Sequence, residues 1–148
     1  MKFLREESFR LAYQPILDAQ TGQPTMYEVL LRLPEPDDQD ALSAAEIIPL
    51  AERLGLAHLI DRAVLQLIIQ ALQENPDLRL NMNVSSTTIG DAFWQDQLLE
   101  VLNSNKDVTG RLTMELNENA TLANLKTARR FIERLRSAGI SVAIDHFG

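Results

Sequence analysis

Glu28, Asn83, Glu115 and Asp145 each place a carboxylate or amide oxygen within or at the end of a run of apolar, strand-forming residues. Glu28 lies in MYEVLLRL, Asn83 (with Asn81) in LNMNVSS and Glu115 in LTMELNEN, while Asp145 closes ISVAID and is followed by His146. Burying such a group costs several kcal/mol unless a partner compensates it. One such residue is ordinarily structural, hydrogen-bonded to a neighbouring loop; recurrence on successive strands points to a convergent set. Carboxylate and amide oxygens with no thiolate and at most one imidazole suit a hard divalent cation, Mg²⁺ or Mn²⁺. Such a centre can hold a phosphate ligand and lower the pKa of a bound water, which makes a nucleophile for phosphodiester hydrolysis. Arg32 lies four residues beyond Glu28, an even spacing that puts both on one face of a strand, and its guanidinium suits bidentate phosphate contact. From spacing alone, a buried polar network stands as the alternative to a metal site.

The elements that must position these residues alternate. Leu11 to Leu17 reads as a strand, followed by a turn at Thr21-Gly22-Gln23-Pro24, and Met26 to Leu33 as a second strand stopped by Pro34-Glu35-Pro36. After the acidic loop Asp37 to Asp40, Ser43 with Glu46 forms a capping box for a helix ending at Gly55, and an amphipathic helix runs from Ala57 to Glu74. Leu78 to Val84 is a third strand, with a helical region from Ser86 or Thr87 to near Asn105. Arg111 to Leu116 is a fourth, with a helix from Asn119 or Thr121 to Gly139, and Ile140 to Ile144 is a fifth. Strands alternating with helices of this length imply βα units and a mostly parallel sheet. No Gly-rich phosphate loop follows any strand, which favours a (β/α)₈ barrel over an open nucleotide-binding sheet. A complete barrel takes about 250 residues and eight strands, with its chemistry at the strand C-termini. Five strands are legible in these 148 residues, so the expected fold is a partial α/β barrel.

Composition narrows the partners. A net charge of −7, from 21 acidic and 14 basic residues, disfavours nucleic-acid polymers and anionic membranes. Lys126, Arg129, Arg130, Arg134 and Arg136 scatter at helical spacing around a solvated face. The chain contains no cysteine, which excludes disulfides and thiolate metal sites. The first residues lack the apolar core of a signal peptide, and no stretch approaches the roughly 20 apolar residues of a membrane span. A cytoplasmic protein with no membrane insertion is expected. His58 is expected at a surface or helix cap, Phe93 and Trp94 in core or interface packing, and Glu118 supporting a helix N-terminus.

YQPILD at Tyr13 to Asp18, a Thr-Gly turn, and YEVLLR at Tyr27 to Arg32 resemble the opening of an EAL domain, whose name motif stands here as Glu28-Val29-Leu30. IIPLAERLGL from Ile47 to Leu56 with Ile60-Asp61, then LNMNVSS, MELNEN and AIDHFG, continue the resemblance in order across the chain. It implies a (β/α)₈ barrel variant that binds cyclic di-GMP and opens it to the linear dinucleotide pGpG with a water activated between two Mg²⁺ or Mn²⁺ ions. It also implies Glu28, Asn83, Glu115 and Asp145 as metal ligands, Gln14 and Arg32 as contacts to phosphates and guanines, and Leu30 as pocket lining.

Departures from the family pattern set a second expectation beside the first. His146 stands where the family has a second aspartate; it can ligate Mn²⁺ as a neutral imidazole but removes a charge and suits Mg²⁺ poorly. Asn117 stands where the family usually has threonine. The family's later lysine, glutamate and glutamine motifs fall beyond Gly148, so residues 1–148 read as one C-terminally incomplete domain, inactive alone. A fragment of a longer chain is expected rather than a homodimer that completes itself by exchange. The alternative to a phosphodiesterase is a degenerate domain that senses cyclic di-GMP, or a module that contacts a partner signalling domain.

Overall fold

The computed structural model describes residues 10–32 and 44–145. Strands β1 (Arg10–Leu17) and β2 (Pro24–Arg32) form a hairpin, followed by helices α1 (Ala44–Arg53) and α2 (Ala57–Glu74). Then come β3 (Leu80–Val84), α3 (Ser86–Ile89), α4 (Ala92–Asn103), β4 (Leu112–Asn117), α5 (Glu118–Ala123), α6 (Leu125–Ser137) and β5 (Ser141–Asp145). The strands lie in chain order in one sheet; β1 pairs with β2 antiparallel, and β2 to β5 run parallel.

Alternation along the strands separates two faces. Leu80, Met82, Leu112, Met114 and Leu116 are almost fully buried against Leu65, Ile68 and Leu72 of α2, Leu98 and Leu102 of α4, and Phe131 and Leu135 of α6. Each large apolar side chain buried this way contributes about 1.5–3 kcal/mol. The intervening residues, Asn81, Asn83, Thr113, Glu115, Asn117 and Asp145, therefore share the opposite face, away from the helices. At the N-terminal end of the parallel strands, the Arg111 guanidinium donates to the Leu72, Asn75 and Leu78 carbonyl oxygens at 2.7, 2.8 and 3.0 Å, capping the end of α2.

The expected helix stops hold: Gly55 and Gly139 sit at φ +71° and +88°, a conformation that favours glycine. The expected helical region after β3 and the expected helix after β4 are each divided in two. Gly90 and Asp91 separate α3 from α4, with the Asp91 carboxylate accepting from the Phe93 N–H at 2.9 Å. Asn124, at φ −132°, separates α5 from α6. The two breaks touch, since a side chain on Gly90 would meet Asn124 at 3.2 Å. Local capping by Asp91 and Asn124 overrides an apolar periodicity that runs through both breaks. His58 also departs from expectation: it is buried, its ring stacked on Trp94 at 3.5 Å between centroids. Phe93 meets Trp94 edge-on but stays exposed. The Ser43–Glu46 capping box lies outside the described side chains.

Candidate functional site

The carboxylates reach the site from three strands, with β3 contributing the amides between them. In register, Gln14 on β1 faces Glu28 on β2, Glu28 faces Asn81 on β3, Asn83 faces Glu115 on β4, and Asn117 faces Asp145 on β5. The Asn83 Nδ2 donates to Glu28 Oε1 at 2.9 Å, so two side chains expected to act together are joined across the β2–β3 pair through the amide nitrogen. Burial pushes the Glu115 carboxyl above its ordinary range, the Asp145 and Glu28 charges push it the same way, and the Asn81 amide opposes them. Asp145 and Glu28 are therefore both electrostatic neighbours of Glu115.

The remaining expected residues fall around this group. Leu30 and Asn83 line a cavity of about 260 Å³ between β2, β3, α1 and α2, together with Glu52, Asp61 and Ser85. Gln14 is exposed, and Arg32 is exposed with its guanidinium donating to the Leu31 carbonyl at 3.0 Å. His146 lies outside the described residues. Among the described residues, no three carboxylate or imidazole groups lie close enough together to hold a metal ion by themselves. The donor chemistry nonetheless fits a hard cation in kind: oxygen donors only, with a Glu115 carboxylate whose burial and acidic neighbours oppose its charge, an opposition a cation would relieve. Asn81 adds a buried Oδ1 with no hydrogen-bond partner among the described residues.

Sequence reasoning left Asp61 without a role. Its carboxylate is buried in α2, and its Oδ2 accepts from the Ser85 N–H at 3.0 Å, the Ser85 Oγ–H at 2.7 Å and the Thr88 Oγ1–H at 2.7 Å. Burial pushes its pKa up to about 6 against those hydrogen bonds, and Glu52 adds to the rise. The signal was present: Asp61 falls on the buried stripe of α2 with Ala57, Val64, Leu65 and Ile68.

The EAL domain family model matches residues 1–148. The chain belongs to the EAL domain family. A cyclic di-GMP phosphodiesterase of Pseudomonas aeruginosa is 31% identical over 147 residues, covering 97% of this chain and 25% of that protein. The FimX EAL domain of Pseudomonas aeruginosa, solved bound to c-di-GMP, is 30% identical with a TM-score of 0.81, covering 99% of this chain and 60% of that one. LapD of Vibrio cholerae, solved as an S helix-GGDEF-EAL protein, shares the fold at a TM-score of 0.86 and 20% identity, over 99% of this chain and 36% of that one. This EAL chain spans about a fifth to a quarter of the length of the curated relatives it matches. No described helix is long and apolar enough to cross a membrane.

Proposed function

We propose that this chain is the part of a cyclic di-GMP phosphodiesterase that carries its first metal ligands and its phosphate contacts. The observation that carries this reading is the convergence of Glu28, Asn83, Glu115 and Asp145 on one sheet face, with Asn83 bonded to Glu28 and the Glu115 carboxyl raised by burial and then by the Asp145 and Glu28 charges. In this reading those four residues hold Mg²⁺ or Mn²⁺, which when bound would supply a water of lowered pKa for attack on the phosphodiester. Gln14 and Arg32 contact the phosphates and guanines of cyclic di-GMP, and Leu30 lines the pocket. The chain covers 60% of the solved FimX EAL domain, and in this reading hydrolysis needs the strands that complete such a barrel. The protein is cytoplasmic.

His146 favours a second reading, in which the domain senses cyclic di-GMP without cleaving it, because an imidazole replaces a charged ligand there. Isothermal titration of cyclic di-GMP into the chain, first with Ca²⁺ and then with Mn²⁺, followed by chromatography for pGpG, tests both. The expected result is binding without product. Product in Mn²⁺ would overturn the inactivity of the chain, and no binding under either condition would overturn the pocket assignment.

A further inference from the structure

The β3–α3 turn is fastened from outside the sheet. Asn83 is the last lumen-facing residue of β3, and Ser85, two residues on, is the N-cap of α3. The Ser85 hydroxyl accepts from the Thr88 N–H at 3.3 Å while donating to Asp61, and Thr88, itself fully buried, donates to the same carboxylate oxygen. Gln95 of α4 extends the fastening by donating from Nε2 to the Thr88 and Ile89 carbonyls at 3.0 and 2.9 Å. One oxygen of α2 thus gathers three donors from the four residues that follow the strand. A buried carboxylate is a costly choice for simple packing, since an apolar residue would fill the same space. It is well suited to fixing direction, because three donors converging on one acceptor leave the turn a single arrangement.

We propose that Asp61 is a positioning residue for Asn83: by locking the β3–α3 turn, it aims the Asn83 side chain at Glu28 and so presents its oxygen to a divalent cation. The inference rests on the metal reading of Asn83 only for its last step; the Asn83–Glu28 bond is a property of the ligand-free chain. Outer groups that orient metal ligands typically change metal affinity by about 10–100-fold when removed.

The test compares Asp61→Leu, Asp61→Asn and Ser85→Ala with Asn117→Ala, which loosens the corresponding turn after β4. Asp61→Leu fills the space with an apolar group but strands the three donors, whereas Asp61→Asn keeps a carbonyl acceptor. The first readout is solvent exchange of the Asn83 side-chain amide by NMR in the metal-free full chain. Exchange is expected to quicken about tenfold in Asp61→Leu, less in Ser85→Ala and Asp61→Asn, and not in Asn117→Ala. The second is Mn²⁺ affinity by calorimetry, expected to fall about tenfold in Asp61→Leu and to be largely kept in Asp61→Asn. If the Asp61 variants move the Asn83 amide no more than Asn117→Ala does, positioning is refuted. If the parent chain binds no Mn²⁺, the metal reading fails, while the amide readout still decides whether Asp61 aims Asn83. Should Asp61→Leu prove unfolded, Asp61→Asn and Ser85→Ala carry the comparison.

Discussion

After β3 the chain enters α3 through Ser85, which is tied to a buried carboxylate on a separate helix; after β4 it enters α5 through Asn117, which caps its own helix. The Asn117 Oδ1 accepts from the Ala120 N–H at 3.0 Å, and its carbonyl accepts from the Thr121 Oγ1–H at 2.8 Å, with all three residues within one turn. Both turns follow strands that bring an expected site residue to the same face, Asn83 and Glu115. The first is held by a contact that reaches across more than twenty residues of sequence, the second by contacts that close within four. The difference is between a turn whose direction depends on how α2 packs and a turn that would form in isolation.

The largest expected effect is at the long-range tie. Asp61→Ala leaves the Ser85 N–H, the Ser85 hydroxyl and the Thr88 hydroxyl without their acceptor, each at a cost of about 1–3 kcal/mol when buried. A net loss of about 4 kcal/mol in urea unfolding is expected, since relief of the carboxylate's own desolvation offsets part of the sum. A loss no greater than that of Asn117→Ala would mean that the two turns are equally local.

The pH dependence sharpens the same contrast. The folded Asp61 carboxyl holds its proton more tightly than the unfolded one, with its pKa raised from 3.8 to about 6. Its contribution to stability is therefore fully present below about pH 4 and lost as the pH rises through about 6, a change of about 3 kcal/mol. Glu115, also raised, adds a slope of the same sign. Urea midpoints measured from pH 4 to 7 should fall in the parent and in Asn117→Ala, and fall less in Asp61→Asn. Equal slopes in all three would remove Asp61 as a titrating group.

How far the sequence revealed this contrast depends on range. The strands, the parallel order and the shared face of Glu28, Asn83, Glu115 and Asp145 follow from two-residue periodicity, a signal contained in each short run. The Asn83–Glu28 bond crosses two strands whose neighbouring order the βα pattern already implies. The helix breaks at Gly90–Asp91 and Asn124 were hidden because periodicity continues through them, and only the contact between Asn124 and Gly90 shows why they coincide. The Asp61 tie was hidden for a different reason. A polar residue on an apolar helical stripe announces that it needs a partner, but Ser85 and Thr88 become that partner only once α2 lies against the end of β3. Sequence shows such a need; packing alone identifies what meets it.

Single cap removals should separate the turns by a smaller margin. Ser85→Ala loses an N-cap and one donor to Asp61, and about 2 kcal/mol of stability; Asn117→Ala loses a cap alone, and about 1 kcal/mol. Combining each with Asp61→Asn in a double-mutant cycle should show coupling for Ser85 and additivity for Asn117. Coupling at Asn117 would mean that the β4 turn also depends on α2.

The smallest expected effect lies at Glu115 itself. Its carboxyl is raised by partial burial and by the Asp145 and Glu28 charges, so at neutral pH it is held in an arrangement that its neighbours oppose. Glu115→Gln removes that opposition while keeping an acceptor for the Asn81 amide, and the ligand-free chain should become slightly more stable in urea. The group is mostly solvated, so screening keeps the gain below the loss at Asn117→Ala. With Mn²⁺ present the order should reverse, because the parent gains stability from the cation and Glu115→Gln gains less. A Glu115→Gln chain that is less stable without metal would mean that the carboxylate is there as a structural acceptor. The β4 end would then be fastened as firmly as the β3 end, and repulsion among the acidic residues could no longer support a cation between the strands.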